Sequence, residues 1–357
     1  MDRPVPPRPI RAAGPGPEAD SLRRAYLDLL KLCLCDLVGV SARTVTWTDD
    51  RRVFSRELTG PDQLEWRVDG KDWPQNGLSM IGLRRLDDLQ ECVSAVVTDG
   101  VEGDLIEAGT WRGGAAILMR ATLDALGARD RRVWVADSFK GFPVPEPGGS
   151  AEDRELELHM SAIDFLAPTL EQVRGHFARF GCEQGVEFVP GFFEETMDTL
   201  RNGDWSLVRL DADTYKATRL ALDALYPGLA VGGYIVVDDY YHPYIPTSCR
   251  RAVDDFREEL GITEPIAQID WNSARWRREH EHPTRDAFPS RRHDRSSPRA
   301  VADRGRTAIP TDRELQLTDE LAALRVRIAD LEERLARRSL AGAAAWARQR
   351  AKAAIRR

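Results

Sequence analysis

The chain is short of the features that mark a secreted, metal-clipped or membrane protein. Its 357 residues include five cysteines (Cys33, Cys35, Cys92, Cys182, Cys249), odd in number and scattered, with no CxxC pair. That pattern excludes a zinc ribbon and a dithiol redox motif, and it leaves a reduced, cytoplasmic protein as the expectation. No run approaches the roughly 18 consecutive apolar residues of a spanning helix. The opening Met1-Asp-Arg-Pro-Val-Pro-Pro-Arg-Pro-Ile has no apolar core of the kind a secretory signal needs. Positive charge is scarce too, with 51 Lys and Arg against 58 Asp and Glu for a formal −7. Residues 334–357 hold eight Lys or Arg and no acid, so everything before them carries −15. An acidic body lacks the basic footprint of nucleic-acid binding.

Several catalytic signatures are missing as well. No nucleophile elbow supports Ser-His-Asp chemistry, and the six histidines give no metal-ligand pair inside the central region. Gly109, Gly113 and Gly114 do not have the GxGxxG spacing of a dinucleotide fold, which disfavours a dehydrogenase.

What is present alternates strand and helix. Residues 1–20, rich in Pro and Gly, are expected to be disordered. From Ser21, the run Leu22, Tyr26, Leu29, Leu30, Cys33, Leu34 and Leu37 has helical spacing. Residues 41–76 mix Trp47, Trp66 and Trp73 with charges and turn residues, and read as a lid or long loop region. A second helix spans about 82–98, and 21–100 form an N-terminal helical and lid segment. Strands are expected at 104–108, 132–136, 186–190, 206–210 and 233–237, with helices at about 113–127, 165–180, 193–201, 215–226 and 248–260 between and after them. Segments 264–270 and 274–278 suit an antiparallel hairpin at the sheet edge. The order predicts one α/β, doubly wound domain over 101–279. Residues 280–311 read as a disordered linker. Beyond it, 312–357 combine a heptad seam (Leu317, Leu321, Leu324, Ile328, Leu331, Leu335) with a basic end, read as a short coiled coil or docking helix. That end is either an amphipathic helix lying on a membrane or partner, or a solvated continuation of the same helix.

Four acidic strand ends carry the chemistry. Asp104-Leu-Ile-Glu107-Ala-Gly109-Thr-Trp-Arg-Gly-Gly is a strand, a glycine turn and a helix start, suited to an adenosine-bearing cofactor: backbone amides of Gly109–Trp111 approach the ligand and Glu107 accepts from its amino group. Asp137 ends the next strand, where such sheets set a carboxylate against two ribose hydroxyls. Ser138-Phe139-Lys140-Gly141 follows as a polar and aromatic wall, or as an ordinary loop with a buried phenylalanine. Asp211 ends Leu207-Val-Arg-Leu-Asp, and Asp238 and Asp239 end Tyr234-Ile-Val-Val-Asp-Asp. Ends of adjacent strands share a rim, so these three carboxylates converge. A hard divalent cation, Mg²⁺ for an all-oxygen set, relieves their repulsion. It also prepares a hydroxyl for attack on a methyl group, with Asp211 taking the proton. Asp213, Tyr215 and His242 fall on or near the same rim. The plainer alternative makes Asp211 and Asp213 helix caps and Asp238-Asp239 a surface turn. The four strand ends together predict a methyltransferase.

Five ordered motifs, Met80-Ile-Gly-Leu-Arg-Arg-Leu-Asp-Asp-Leu, the Asp104–Gly114 turn, Asp137-Ser-Phe-Lys-Gly-Phe-Pro, Leu210-Asp-Ala-Asp-Thr-Tyr-Lys-Ala-Thr and Val237-Asp-Asp-Tyr, closely resemble the macrocin and mycinamicin sugar O-methyltransferase family from about Tyr26 to Arg278. The resemblance implies a class I methyltransferase sheet, S-adenosylmethionine as donor, Mg²⁺, a deoxysugar hydroxyl as acceptor, and a homo-oligomer. It carries cofactor contacts onto Met80, Ile81, Glu107, Ala108, Gly109, Thr110, Trp111, Asp137, Ser138, Phe139, Lys140, Gly141 and Phe192. The metal role falls on Asp211, Asp238 and Asp239, with Asp211 also the base. Asp-Ala-Asp stands here where the family commonly has Asp-Gly-Asp, and residues beyond 280 have no counterpart. That tail favours an acceptor such as a glycan or glycolipid handled by a larger assembly, with the tail touching a membrane or protein partner. The competing expectations are a phenolic or catechol acceptor, set by the lid, and a non-catalytic scaffold of the same fold.

Overall fold

The computed structural model describes residues 17–39, 42–47, 53–58, 60–145, 150–243 and 248–281. Residues 1–16 of the expected disordered start, most of the linker, and the heptad and basic segment lie outside the described residues; 17–20, expected to be disordered, are helical.

Helix α1 (Pro17–Leu34) begins four residues before the expected cap at Ser21. Pro17 presets the first helical φ, and Glu18 and Asp20 complement the helix dipole in the first turn. The region expected as lid or loop folds instead. Strands β1 (Arg43–Trp47), β2 (Val53–Glu57) and β3 (Trp73–Pro74) make a three-stranded antiparallel sheet in the order β2-β1-β3, and helix α2 (Pro61–Val68) lies in sequence between β2 and β3. Its staple is a buried guanidinium that no apolar period reports. Arg67, 1% exposed, donates to both oxygens of Asp72 at 2.8 Å, to Cys35 O at 3.0 Å and to Arg43 O at 2.9 Å. One side chain thus ties α1, β1 and α2 together.

The main body runs α3 (Gly82–Thr98), β4 (Asp104–Ala108), α4 (Gly114–Leu126), β5 (Val133–Asp137), α5 (Ala151–Met160), α6 (Leu170–Arg179), β6 (Val186–Pro190), α7 (Phe193–Leu200), β7 (Trp205–Leu210), α8 (Tyr215–Leu225), β8 (Leu229–Val237), α9 (Cys249–Leu260), β9 (Ala267–Gln268) and β10 (Ala274–Arg277). Its seven strands form one sheet in the order β6-β5-β4-β7-β8-β10-β9. Strands β4 to β8 are parallel, and β10 runs antiparallel to both β8 and β9. This is the doubly wound methyltransferase architecture expected from the sequence, with the hairpin at its edge. Chain order reverses between β4 and β7, which opens a crevice at their carboxyl ends.

Alternation along the strands loads two cores. Leu105, Val133, Val135, Leu207 and Val236 face α1, α3, α4 and α6, whereas Ile106, Ala108, Val208, Leu210, Ile235 and Val237 face α7, α8 and α9. Two helices differ from expectation. The segment 165–180 is split, a 3₁₀ turn at Asp164–Leu166 preceding α6, because Pro168 disfavours helical backbone at Ala167. Thr169 then opens α6 with a capping box to Gln172. Helix α5 was not expected at all, and its burial explains why: Asp153 and Glu157 are its buried residues while Leu158 is 55% exposed. A hydrophobic period cannot find a helix whose inner face is acidic.

Candidate active site

Left-handed backbone gathers at the carboxyl rim of the sheet. Of the four non-glycine residues with positive φ among the described residues, Trp111 (48°), Phe139 (53°) and Asp213 (53°) sit in the loops after β4, β5 and β7. Strain of this kind persists where surrounding contacts impose it. Gly109, at φ 86°, is the tightest point: a Cβ there would stand 1.9 Å from Asp211 O. Only glycine lets the β4 turn lie against the β7 end, where Asp211 N donates to Ala108 O at 2.9 Å.

Asp137 organises the cofactor-side loops. Its Oδ2 accepts from Thr110 N at 2.8 Å and Trp111 N at 3.2 Å, and its Oδ1 accepts from Phe139 N at 2.8 Å. Gly109 N donates to Ala136 O at 2.8 Å. The amides of 109–111, expected to approach a ligand, thus hold β4 and β5 together here. Burial raises the Asp137 carboxyl, and the three amide donors oppose that rise. Ser138 Oγ closes its loop by donating to Gly141 O at 2.7 Å. The Phe139 ring turns into the core 6.3 Å from Phe188, and Lys140 is exposed, so the loop's outward face is polar. Met80 and Ile81 precede α3 in a segment that meets the start of α4, where Gly114 N donates to Leu78 O at 2.9 Å. Ile81 is buried in the core and Met80 is half-buried. Phe192, half-buried, opens α7 just past β6, whose Pro190 pairs with Asp137 in register.

Two arginines that sequence reasoning passed over hold the acidic rim. Arg209, 2% exposed, donates to Glu107 Oε1 at 2.6 Å and pairs through Nη2 with Asp211 Oδ2 and Asp238 Oδ1, both at 3.1 Å. Arg85 of α3 reaches Asp238 Oδ2 at 2.8 Å and Asp270 Oδ2 at 2.9 Å. Their positions carried a signal, since Arg209 interrupts the apolar run of β7 and Arg85 lies on the buried stripe of α3. Glu107 also accepts from Thr110 Oγ1 at 2.8 Å, and burial pushes it up to about 6 against the pull of Arg209.

The carboxylates divide into two kinds. Asp238, bracketed by both arginines and by Ser273 Oγ at 2.9 Å, is held below the usual carboxylate range, these partners outweighing its burial. Asp211, Asp213 and Asp239 form the cluster, each offering an oxygen within 4.8 Å of the others. Burial raises all three, Asp211 and Asp213 far above the carboxylate range; the charge of Asp238 adds to the rise at Asp211 and Asp239, and the charges of Asp239 and Asp211 to that at Asp213. Asp239 Oδ1 accepts from Asn272 Nδ2 at 2.9 Å, its buried Oδ2 meets no N–H or hydroxyl donor among the described residues, and the Asp213 carboxyl lies within hydrogen-bonding reach of the Asp239 carboxyl. Three like charges on oxygen ligands, one oxygen orphaned, fit a hard divalent cation. The expected trio of Asp211, Asp238 and Asp239 therefore meets at one rim, with Asp213 in the cluster and Asp238 beside it on its arginines. His242 follows closely, its N–H donating to Asp239 O at 3.3 Å, and burial lowers its imidazole. Tyr215 turns away to bond Asp255 at 3.0 Å.

The macrocin O-methyltransferase (TylF) family model matches residues 23–278. The chain is 43% identical over 259 residues to the 8-demethyl-8-(2,3-dimethoxy-alpha-L-rhamnosyl)-tetracenomycin-C 4'-O-methyltransferase of Streptomyces olivaceus, covering 72% of this chain and 94% of that one. It is 40% identical over 256 residues to the mycinamicin III 3''-O-methyltransferase of Micromonospora griseorubida, covering 71% and 96%. Among solved structures, that of the O-methyltransferase NovP aligns with a TM-score of 0.63 at 38% identity, over 72% of this chain and all of that one.

Proposed function

Because the chain belongs to the TylF macrocin O-methyltransferase family and so moves a methyl group from S-adenosylmethionine to oxygen, we propose that it methylates a sugar hydroxyl of a glycosylated natural product with the help of Mg²⁺. The observation that carries the metal half of this reading is the Asp211, Asp213, Asp239 cluster with its orphaned oxygen. The acceptor half rests on two relatives named for a rhamnosyl 4' position and a 3'' position. Their different positions leave the hydroxyl to be decided by this chain's own rim.

In this reading the donor lies across the β4 and β5 ends. Asp137 accepts from the ribose hydroxyls with lone pairs left over from Thr110, Trp111 and Phe139, and Glu107 faces the ammonium end. Met80, Ile81, Ala108, Ser138 to Gly141 and Phe192 complete the cradle. Asp211 and Asp239 hold the cation, a number of carboxylates that suits an ion keeping several waters. Asp238 has both lone pairs of Oδ1 committed to Arg209 and Ser273 and could join them through Oδ2, which carries Arg85 alone. When bound, the cation supplies positive charge that makes the acceptor hydroxyl more acidic.

The proton then goes to a carboxylate, and Asp213 suits the task better than Asp211. One oxygen of Asp211 is committed to Arg209, which weakens it as a base. Burial and the like charges of Asp239 and Asp211 raise the proton affinity of Asp213, as burial and Asp238 raise that of Asp211, so what separates the two is the guanidinium on Asp211. With the base beside it, the hydroxyl oxygen attacks the sulfonium methyl, leaving a methyl ether and S-adenosylhomocysteine.

The test is transfer of labelled methyl from S-adenosylmethionine to a panel of glycosylated and phenolic acceptors, in Mg²⁺ and in chelator. Product on a sugar oxygen, lost in chelator and restored by Mg²⁺, is the expected result. Transfer that ignores chelation removes the cation, and transfer confined to phenols removes the sugar.

A further inference from the structure

The most telling unassigned group is on α5, the helix whose inner face is acidic. Asp153 is 3% exposed and is not one of the clustered carboxylates. Its Oδ1 accepts from Tyr215 N at 3.0 Å and its Oδ2 from Lys216 N at 3.2 Å, across more than sixty residues of chain. These are the first two amides of α8. The third, Ala217 N, donates to Thr214 Oγ1 at 3.2 Å, and Thr218 N closes on Thr214 O at 3.0 Å. Tyr215, Lys216 and Ala217, the three helical amides with no partner inside the helix, are therefore all satisfied, two of them by a carboxylate from elsewhere in the fold.

The helix start matters because Asp213 is two residues upstream of Tyr215, in left-handed backbone at φ 53°. Left-handed backbone costs Asp less than most side chains, but it still persists where surrounding contacts over-determine it. One flank is fixed at Asp211, whose amide is bonded to Ala108 O. The other is the first turn of α8, where Thr214 holds one amide and Asp153 holds two.

We propose that Asp153 is a positioning residue for methyl transfer: by capping α8 from α5, it holds the left-handed turn that sets Asp213 beside Asp211 and Asp239 in the acidic cluster. This rests on the cluster being the site of transfer, as proposed above. Asp153 contacts neither donor nor acceptor in this account and acts only through the loop it clamps.

The test is a double-mutant cycle in the full chain, with Asp153→Ala, Asp153→Asn and Asp213→Asn measured singly and the two Asp153 variants repeated in the Asp213→Asn background. Asp153→Ala is expected to lower kcat by about tenfold or more, as for the loss of two charge-assisted hydrogen bonds. The acceptor KM and the affinity for S-adenosylmethionine stay within about twofold, since neither site is touched. Asp153→Asn, which keeps an acceptor oxygen, recovers most of the rate and controls for misfolding. In the Asp213→Asn background the Asp153→Ala effect disappears. Losses that multiply instead of vanishing, or an Asp153→Ala enzyme with the wild-type kcat, overturn the proposal and leave the reading of the acidic cluster in place. Wild-type rate in Asp213→Asn alone takes Asp213 out of the reaction, and this proposal with it.

Discussion

Glu107 and Arg209 face each other across adjacent parallel strands, paired in register, with oxygen and nitrogen 2.6 Å apart and neither side chain more than 2% exposed. A buried pair of this kind gains little over an apolar pair, but removing one member leaves an uncompensated charge. Arg209→Met strands Glu107 and also releases Asp211 and Asp238, so it should lower the unfolding free energy by about 3–5 kcal/mol in urea titrations. Glu107→Gln should cost less, about 1–3 kcal/mol, because the guanidinium keeps its other two carboxylates. Equal losses would contradict the bridging role.

Gly109 and Gly100 separate steric necessity from backbone strain. Both have positive φ, 86° and 67°, but a Cβ at Gly100 meets nothing within 4 Å while one at Gly109 runs into Asp211 O. Gly100→Ala should cost about 1–2 kcal/mol for the left-handed backbone alone. Gly109→Ala must also push β4 and β7 apart, so a loss above about 3 kcal/mol and a collapse of S-adenosylmethionine affinity by calorimetry are expected.

Much of this architecture was legible because its signals are periodic or positional. The strands β4 to β8 stand within four residues of their expected bounds at every end, most within one, since buried parallel strands are continuous apolar runs closed by Asp or Gly. The acidic rim followed from strand ends alone. The rest was hidden where charge does the work of apolar contact. Arg67 assembles the small N-terminal sheet, Asp153 docks α5, and Arg85 and Arg209 decide which acids repel and which are neutralised. Sequence spacing gathered Asp238 with Asp211 and Asp239 but did not reveal the guanidinium groups that set it apart.

That division gives opposite signs to two like substitutions. Asp238→Asn takes one carboxylate from each of Arg85 and Arg209, which keep Asp270 and the pair Glu107 and Asp211, and should destabilise the protein by about 1–3 kcal/mol. Asp213→Asn removes a charge that burial and its neighbours already disfavour. In chelator its melting temperature should rise above wild type, while kcat falls on the order of 100-fold or more for loss of a general base. Stabilisation bought with activity is typical of a site held against its own repulsion.

The family match ends at residue 278, and among the described residues no helix is long and apolar enough to cross a membrane. A chain ending after Glu281 should therefore keep transfer to a freely diffusing glycosylated acceptor within a few-fold of the full chain. If the heptad and basic segment serves attachment to a partner or an anionic surface, the truncated chain loses co-sedimentation with anionic vesicles or its larger assembly state. Loss of transfer to the free acceptor would instead make the tail part of the catalytic unit.

The raised carboxyls of Asp211, Asp213 and Asp239 fix how the cation and pH must interact. A carboxyl whose folded value lies above its unfolded one contributes stability that is full below the unfolded value, about 4. That contribution is lost as pH rises through the folded value. The cation-free protein therefore loses this contribution progressively as pH rises above about 4, where the unfolded carboxyls ionise and the buried ones resist. A divalent ion binds the ionised form, so its affinity climbs as pH rises and its binding releases protons. The gap between melting temperatures in millimolar Mg²⁺ and in chelator should widen with pH, since groups outside the cluster cancel in that difference. A gap that stays constant, with no proton release in calorimetry across buffers of different ionisation heat, would mean that the ion does not bind at these three carboxylates.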